Sequence, residues 1–318
     1  MTDVALPAYQ DLPIVEGGAR SGWRIFGPDD SLGLLNLITP EKAKSAAKAV
    51  VTGDTFPLDL PSDFLDPPLF SRGAPRRTTI EVRPGAALDD VHDNFFPQAA
   101  SQWDALGHIA FQPGVFYNGA SASEIVNGVR NTIDHVARKG VVTRGVLLDV
   151  SATVAERGGA GSSVALTASD LERARRAAGV EIQQGDALLI HTGFLRWYAN
   201  QDAALRRRMS RRDLLTAPGL AHDEAMAEYL WDAHIAAVIA DNPGLEVWPP
   251  DERPEAWPFG FLHQIILGQF GLPIGELWWL SELADACRED GRYDFMLVSA
   301  PMNAPGGIGS PANALAIR

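Results

Sequence analysis

The fold class follows from two apolar stretches, RGVLLDV at residues 144–150 and ALLIH at residues 187–191. Both are short, and Gly, Asp or Arg residues lie beside them. Such runs are typical of β-strands that are buried on both faces. Two further strands are predicted at residues 235–240 and 295–300.

Helical patterns alternate with these strands. A capping-box pattern begins a predicted helix over residues 169–179, and its last residue is a glycine of the kind that ends helices. Further helices are predicted at residues 124–138, 223–233 and 281–288. This alternation of strands and helices predicts an α/β or α+β domain.

The domain organisation is simple. Residues 1–21 are interrupted by Pro and Gly and are predicted to form an N-terminal arm. Residues 61–100 show little periodicity and many Pro, Asp and Gly residues, which favours binding loops. Because no break in composition marks a second domain, residues 22–318 are predicted to form a single domain.

Composition excludes several function classes. The 318-residue chain has a net charge of −13, which argues against nucleic acid or an anionic membrane as the main partner. No apolar run approaches the roughly 20 residues that a membrane-spanning helix needs. Without a signal-peptide pattern in its first residues, the protein is expected to be cytoplasmic. The single cysteine, Cys287, excludes an internal disulfide framework and a multi-cysteine zinc site.

Common catalytic motifs are missing from the sequence. It contains no G-x-S-x-G nucleophile elbow, no G-x-x-x-x-G-K-[ST] loop and no H-E-x-x-H helix. The glycines at 306–309 lack the G-x-G-x-x-G spacing of dinucleotide-binding loops, and we interpret them as a structural turn.

Four polar residues are candidates for metal binding or proton transfer. Asp104 and His108 lie four residues apart, and His263 and Glu276 lie in a second segment. Imidazole and carboxylate together suit Zn²⁺ or Mn²⁺. Spacing alone is weak evidence, because each of these residues could equally be a structural pair, a cap or a core histidine.

At these residues the chain resembles the putative cyclase family of bacterial kynurenine formamidases and isatin hydrolases. The family signature is H-x-G-T-H-x-D-x-P-x-H, and Asp104 and His108 take its Asp and last His positions. The pair His263 and Glu276 falls where the family has its remaining His and Glu ligands. Other family-like segments follow in the expected order at residues 30–40, 144–149, 185–193, 241–242 and 309–313. The resemblance covers roughly residues 22–318.

The resemblance implies a swivelling β/β/α fold, in which a mixed, barrel-like sheet is surrounded by outer helices. The chain departs from the signature at three positions: Gln98 and Gln102 replace its first two histidines, and Leu106 replaces its proline. An amide oxygen is a weaker metal ligand than imidazole. The family site that depends on those histidines is therefore expected to be absent or weakened, and the chain resembles a Gln-Trp-Asp branch of the family.

Two accounts of the site remain open. In the first, Asp104, His108, His263 and Glu276 hold one Zn²⁺ or Mn²⁺, and Gln102 supplies an extra oxygen or a supporting hydrogen bond. In the second, the metal is lost and His108 and Glu276 act as general acid and base. Gln98 and Gln102 would then donate hydrogen bonds to the substrate.

The residue between Gln102 and Asp104 has two interpretations. Trp103 is expected to form one wall of a substrate pocket for an aromatic group, and the alternative is simple core packing.

The function implied by the resemblance is hydrolysis of a carbon–nitrogen or ester bond, including cyclic amides and lactones, in a small molecule by a metal-dependent enzyme. The alternatives are a cyclase or lyase of secondary metabolism on the same scaffold, with or without metal, and a non-catalytic binding homologue. Family members associate, so a homodimer or homotetramer is expected.

Overall fold

The computed structural model describes residues 4–318. Residues 1–3 of the predicted N-terminal arm lie outside the described residues. The strands of the described chain are β1 Thr55–Pro57, β2 Arg76–Arg83, β3 Ala87–Asp93, β4 Gln102–Asp104, β5 Val141–Asp149, β6 Ala165–Leu166, β7 Ala187–His191, β8 Gly219–Leu220, β9 Ala237–Ala240, β10 Ile274–Glu276, β11 Asp294–Ser299, β12 Gly309–Pro311 and β13 Ala314–Ile317. Its α-helices are α1 Pro40–Ala46, α2 Ala122–Val126, α3 Ile133–Lys139, α4 Ser151–Glu156, α5 Ala168–Ala178, α6 Phe194–Ala199, α7 Ala203–Met209, α8 Glu224–Asp232, α9 Leu262–Ile265 and α10 Ser281–Asp290. Short 3₁₀ turns occur at Tyr9–Asp11, Glu16–Gly18, Gly33–Leu37, Ala47–Ala49, Leu69–Ser71, Pro97–Ala99, Tyr117–Gly119 and Pro254–Ala256, and a π-helical turn, Ile266–Phe270, continues α9.

Nine strands of residues 4–318 form one strongly curled half-barrel sheet in the order β1-β13-β11-β5-β7-β9-β10-β4-β12. The neighbours β5, β7, β9 and β10 pair in parallel, and the other pairings in this sheet are antiparallel. The central strands β7 and β9 are buried along their whole length, as their unbroken apolar sequences predict. The predicted α/β class and the predicted mixed, barrel-like sheet are confirmed.

Most predicted elements occur within a few residues of the predicted bounds, and α5 shows how the ends are fixed. Its first turn is capped by Thr167, which accepts a hydrogen bond from the Asp170 backbone, and not by the predicted capping box at Ser169. Gly179 adopts a left-handed conformation directly after the helix, as predicted for a helix C-terminus.

The single helix predicted over residues 124–138 is wrong, because the chain forms two short helices, α2 and α3. Gly128 and Asn131 between them have positive φ angles of 67° and 60°, which a right-handed helix cannot contain. The Asn131 side chain donates to the Tyr117 backbone carbonyl at 2.9 Å, and the backbone carbonyl of Asn131 accepts from the Gly107 N–H. This break therefore supports the loop that carries His108.

Residues 61–100 contain a structure that the sequence interpretation missed. Strands β2 and β3 pair as a separate antiparallel hairpin whose residues are almost all exposed. Its sequence lacks a clean alternation of apolar and polar residues, so the pattern favours loops where the chain forms a hairpin.

The described part of the N-terminal arm packs on α8 of its own chain. Tyr9 is fully buried, and its backbone N–H donates to Asp232 at 2.6 Å. The indole of Trp231 donates to the Pro7 carbonyl at 2.9 Å. Within residues 4–318, no helix is long and apolar enough to cross a membrane.

Three ionisable residues lie at the C-terminal ends of parallel strands. Asp149 is the last residue of β5, His191 is the last residue of β7, and Asp241 directly follows β9. His191 lies between the two carboxylates, with Nδ1 3.0 Å from Asp149 Oδ1 and Nε2 3.8 Å from Asp241 Oδ2. Arg288 of α10 pairs with Asp149 from outside. Burial alone would lower the pKa of His191, but its hydrogen bond to Asp149 and the charges of both carboxylates raise that pKa above the ordinary value.

We predict that His191 stabilises the fold more at pH 6 than at pH 9. Because its folded pKa is raised, its contribution is complete below about pH 6.5 and is lost as the pH rises through the folded value. In urea unfolding, His191→Asn should cost about 2 kcal/mol at pH 6 and clearly less at pH 9. Asp149→Asn should likewise lose more unfolding free energy at pH 6 than at pH 9. A loss that is independent of pH for both variants would contradict this role of His191.

Candidate metal centre

Strands β4 and β10 place three polar side chains on one face of the sheet. Glu276 pairs directly opposite Gln102, and Asp104 lies two residues further along β4. Because side chains two residues apart on a strand share a face, Gln102 and Asp104 point in the same direction as Glu276. The register between two short strands therefore assembles this part of the site.

His263 reaches the same place from helix α9. The imidazole is almost fully buried, and the Phe261 ring stacks on it with the centroids 4.9 Å apart. Its Nε2 lies 3.1 Å from Glu276 Oε1 and 3.7 Å from Asp104 Oδ2. Asp104, His263 and Glu276 each offer a ligand atom, and these atoms lie within 4.8 Å of one another.

Glu246 orients this histidine. Its Oε2 lies 2.8 Å from His263 Nδ1, and its side chain is fully buried. With the Nδ1 proton on that bond, the lone pair of a neutral His263 lies on Nε2, which faces the two carboxylates. Sequence reasoning missed Glu246 because it lies in an irregular Pro- and Trp-rich stretch. The only signal there was its place four residues after the family-like pair Asp241-Asn242.

His108 lies beside the three-residue group and not within it. Its Nε2 is 3.8 Å from Asp104 Oδ1, and 22% of its side chain is exposed. His108 follows β4 in a turn in which its N–H bonds the Ala105 carbonyl. Of the four predicted ligands, the structure thus brings three to one point and leaves the fourth next to Asp104, closer to solvent.

The two glutamines that replace family histidines have different surroundings. Gln102 is fully buried, and its amide donates to Glu276 Oε2 at 2.6 Å, with Asp104 Oδ1 at 3.5 Å. Gln102 therefore braces the carboxylates, and the predicted hydrogen bond from its amide to a substrate does not fit this geometry. Gln98 is only partly buried, and its amide covers Gly309, which pairs opposite Asp104.

Trp103 does not face these residues. Alternation along β4 turns it to the other face, where its ring meets that of Trp278 at 5.0 Å and its indole donates to Ser299 at 2.8 Å. The structure therefore places the Trp103 ring in the core, as the alternative interpretation has it. The same alternation could have been inferred from the sequence once residues 102–104 were recognised as a strand.

The pKa values of the Asp104 and Glu276 carboxyl groups shift in opposite directions. Burial alone would raise the pKa of Asp104, but His108, His263 and Arg72 hold it below its ordinary value. Burial and the charge of Asp104 raise the pKa of Glu276 to about 7. Although burial opposes it, the pKa of His263 is raised well above the ordinary value by Glu246, Asp104 and Glu276. Burial lowers the pKa of His108, so its ring is neutral near pH 7.

The donor set fits a divalent cation. Asp104 Oδ2 and Glu276 Oε1 are buried and accept no hydrogen bond, although both face His263 Nε2. Buried oxygens without a donor are costly unless another group satisfies them. Two carboxylates and one imidazole with an oriented second nitrogen form a ligand set that suits Zn²⁺ or Mn²⁺.

Comparison with known proteins assigns the family. The sequence profile of the family described as "Putative cyclase" matches residues 50–247. The chain belongs to this cyclase family. A crystal structure described as a novel cyclase has 32% sequence identity and a TM-score of 0.81, over 94% of this chain and 99% of that one. Its similarity confirms the cyclase-family fold implied by the sequence.

Two isatin hydrolases share the fold at lower identity. Isatin hydrolase A from Labrenzia aggregata is 18% identical, with a TM-score of 0.60 over 85% of this chain and 94% of that one. The enzyme from Ralstonia solanacearum is 20% identical, with a TM-score of 0.60 over 87% and 97%. No significant match was found among curated protein sequences.

We predict that Glu246→Gln weakens zinc binding about tenfold. The amide can still accept from His263 Nδ1, but it lacks the charge that makes Nε2 a stronger ligand. Competition with a chromophoric chelator would measure the affinity, with the exposed Glu255→Gln as the matched control. Equal affinities for Glu246→Gln and wild type would contradict the role of Glu246, and no saturable binding by wild type would contradict the metal centre.

Proposed function

We propose that this protein is a metal-dependent hydrolase that cleaves a carbon–nitrogen bond of an amide or cyclic amide, or an ester or lactone bond, in a small molecule. The observation that carries the proposal is the buried group of Asp104, His263 and Glu276 with two orphaned carboxylate oxygens. The isatin hydrolases that share the fold support hydrolysis as the reaction class.

The chain's own residues have separate tasks in this proposal. Asp104, His263 and Glu276 would hold one Zn²⁺ or Mn²⁺, while Gln102 and Glu246 fix the orientation of the ligands. When bound, the cation supplies a Lewis acid that polarises the scissile carbonyl and acidifies water.

His108 is the residue best placed to move a proton. It is the partly exposed member of the site, and its lowered pKa keeps it neutral and able to accept a proton near pH 7. After taking a proton from the attacking water, His108 can deliver it to the leaving nitrogen or oxygen. Asp104, 3.8 Å from Nε2, stabilises the imidazolium that forms between these steps. Glu276, whose pKa is raised to about 7, would serve as a second proton carrier when it is not a ligand.

The substitution of Gln98 and Gln102 for histidine supports one competing proposal, a homologue that binds small molecules without turnover. Turnover assays on a panel of formamides, lactones and cyclic imides would distinguish the hydrolase from the binding homologue. Product analysis of the same panel would also distinguish hydrolysis from ring closure or elimination on this scaffold.

For the panel member that the zinc-loaded enzyme turns over fastest, His108→Ala should lower kcat by about 10²–10⁴-fold, because the proton carrier is lost. The control is His92→Ala, whose side chain lies on the exposed hairpin and should leave kcat unchanged. Circular dichroism would verify that both variants fold. Turnover by His108→Ala at the wild-type rate would overturn the role of His108, and no turnover of any panel member by the wild type would favour the binding homologue.

A further inference from the structure

Arg72 lies near enough to Asp104 and Glu276 for the charges to act on one another, and a constrained turn holds its backbone. It directly follows the 3₁₀ turn Leu69–Ser71, in which Phe70 and Ser71 have φ angles of 59° and 57°. Such left-handed angles are uncommon for residues other than glycine and persist only where the surroundings enforce them. Here the Ser71 N–H bonds the Ser210 carbonyl at 2.9 Å, and the Phe70 ring packs on Trp248 with the centroids 5.0 Å apart.

The guanidinium group of Arg72 has unused hydrogen-bonding capacity. It lies over the Phe70 ring, 4.9 Å from the centroid, and its Nη1 donates to the carbonyl of Gln98. No carboxylate within residues 4–318 lies within 4.0 Å of it, and its remaining N–H groups bond to no atom of the described chain. Burial lowers the pKa of Arg72, whereas the charges of Glu276 and Asp104 oppose this effect.

A counter-charge for Asp104 and Glu276 would be the simplest role for this arginine. Its charge does act on both carboxylates, but only at a distance, because neither lies within 4.0 Å of the guanidinium and neither takes one of its N–H groups. Their nearest charged neighbour is His263, whose Nε2 lies 3.1 Å from Glu276 and 3.7 Å from Asp104, and Gln102 donates to Glu276. The planar fork of Arg72 thus keeps free N–H groups, and its geometry matches the two oxygens of a carboxylate.

A second arginine adds positive charge next to this position. Arg212 lies over the Trp248 ring, 4.9 Å from the centroid, on the ring that also contacts Phe70. It pairs with Glu252 at the surface, and its positive charge contributes to lowering the pKa of Arg72. Because Arg212 is paired with Glu252, the charge that lacks a carboxylate partner here is that of Arg72, and it favours the approach of an anion in a chain with a net charge of −13.

We propose that Arg72 binds a carboxylate group of the substrate, so that the site selects amides or esters of small molecules that carry a carboxylate elsewhere in the molecule. The choice of hydrolysis as the reaction rests on the function proposed above. Binding of the carboxylate does not depend on turnover and can be measured separately.

The binding test compares acids with neutral isosteres. Isothermal titration of the full chain with benzoate against benzamide, and acetate against acetamide, would be run after chelator treatment so that a metal cannot bind the carboxylate. Wild type should prefer at least one acid over its amide by about tenfold. Arg72→Gln should lose this preference, and Arg72→Lys should keep part of it because the charge remains without the fork.

The matched control is Arg76→Gln, which removes an exposed arginine four residues away that pairs with Asp93 on the hairpin. This variant should behave as wild type. An unchanged preference in Arg72→Gln would overturn the proposal, as would the absence of any acid preference in the wild type. Thermal melting of Arg72→Gln and Arg72→Lys checks folding, and Arg72→Lys gives a readout if the glutamine variant unfolds.

A turnover test separates this proposal from the proposed function. For any hydrolysed panel member that carries a carboxylate, methylation of that group should raise KM about tenfold for wild type and have little effect for Arg72→Gln. An equal KM effect in both enzymes would overturn the role of Arg72 while leaving hydrolysis intact. Acid preference without hydrolysis of any panel member would reject the proposed function and support Arg72 as an anion-binding residue.

Discussion

Two carboxylates and one imidazole are buried within 4.8 Å of one another, and the rest of the site is arranged around that constraint. Removing ionised groups from water is costly, and leaving one buried charge without its partner costs about 3–5 kcal/mol. Neighbouring side chains offset part of this cost through hydrogen bonds. Glu246 fixes His263, and Gln102 donates to Glu276, yet one oxygen on each of Asp104 and Glu276 still lacks a donor. A bound cation is the group that would satisfy both oxygens together.

The fold supplies this constraint through pairing register. Because β4 lies between β10 and β12, Asp104 and Gln102 are held from both sides. The opposite face of β4 is fixed by the edge-to-face contact of Trp103 with Trp278. A one-residue shift of β4 would exchange these faces, placing an indole in the site and a carboxylate in the apolar core. Trp103 therefore contributes to the site by fixing the register of the strand.

The sequence predicted what depends on local pattern. The central strands β7 and β9 were recognised from unbroken apolar runs, and the position of Gly179 indicated the end of α5. The prediction of one helix over residues 124–138 was wrong because Asn131 has a positive φ angle. Its side chain bonds the Tyr117 carbonyl, a tertiary contact that local sequence does not show. The convergence of Asp104, His263 and Glu276 could be anticipated from family order, but not from spacing. Glu246 and Arg72 could not, because both lie in irregular segments whose course is set by tertiary contacts.

Anomalous diffraction at the zinc edge, on crystals of the full chain grown with Zn²⁺, tests the central idea most directly. The account predicts one strong peak bounded by Asp104, His263 and Glu276, with ligand distances of about 2.0–2.2 Å. It predicts no peak there in crystals of His263→Ala grown under the same conditions. A wild-type crystal with zinc bound only elsewhere, and these three side chains still in mutual contact, would contradict it.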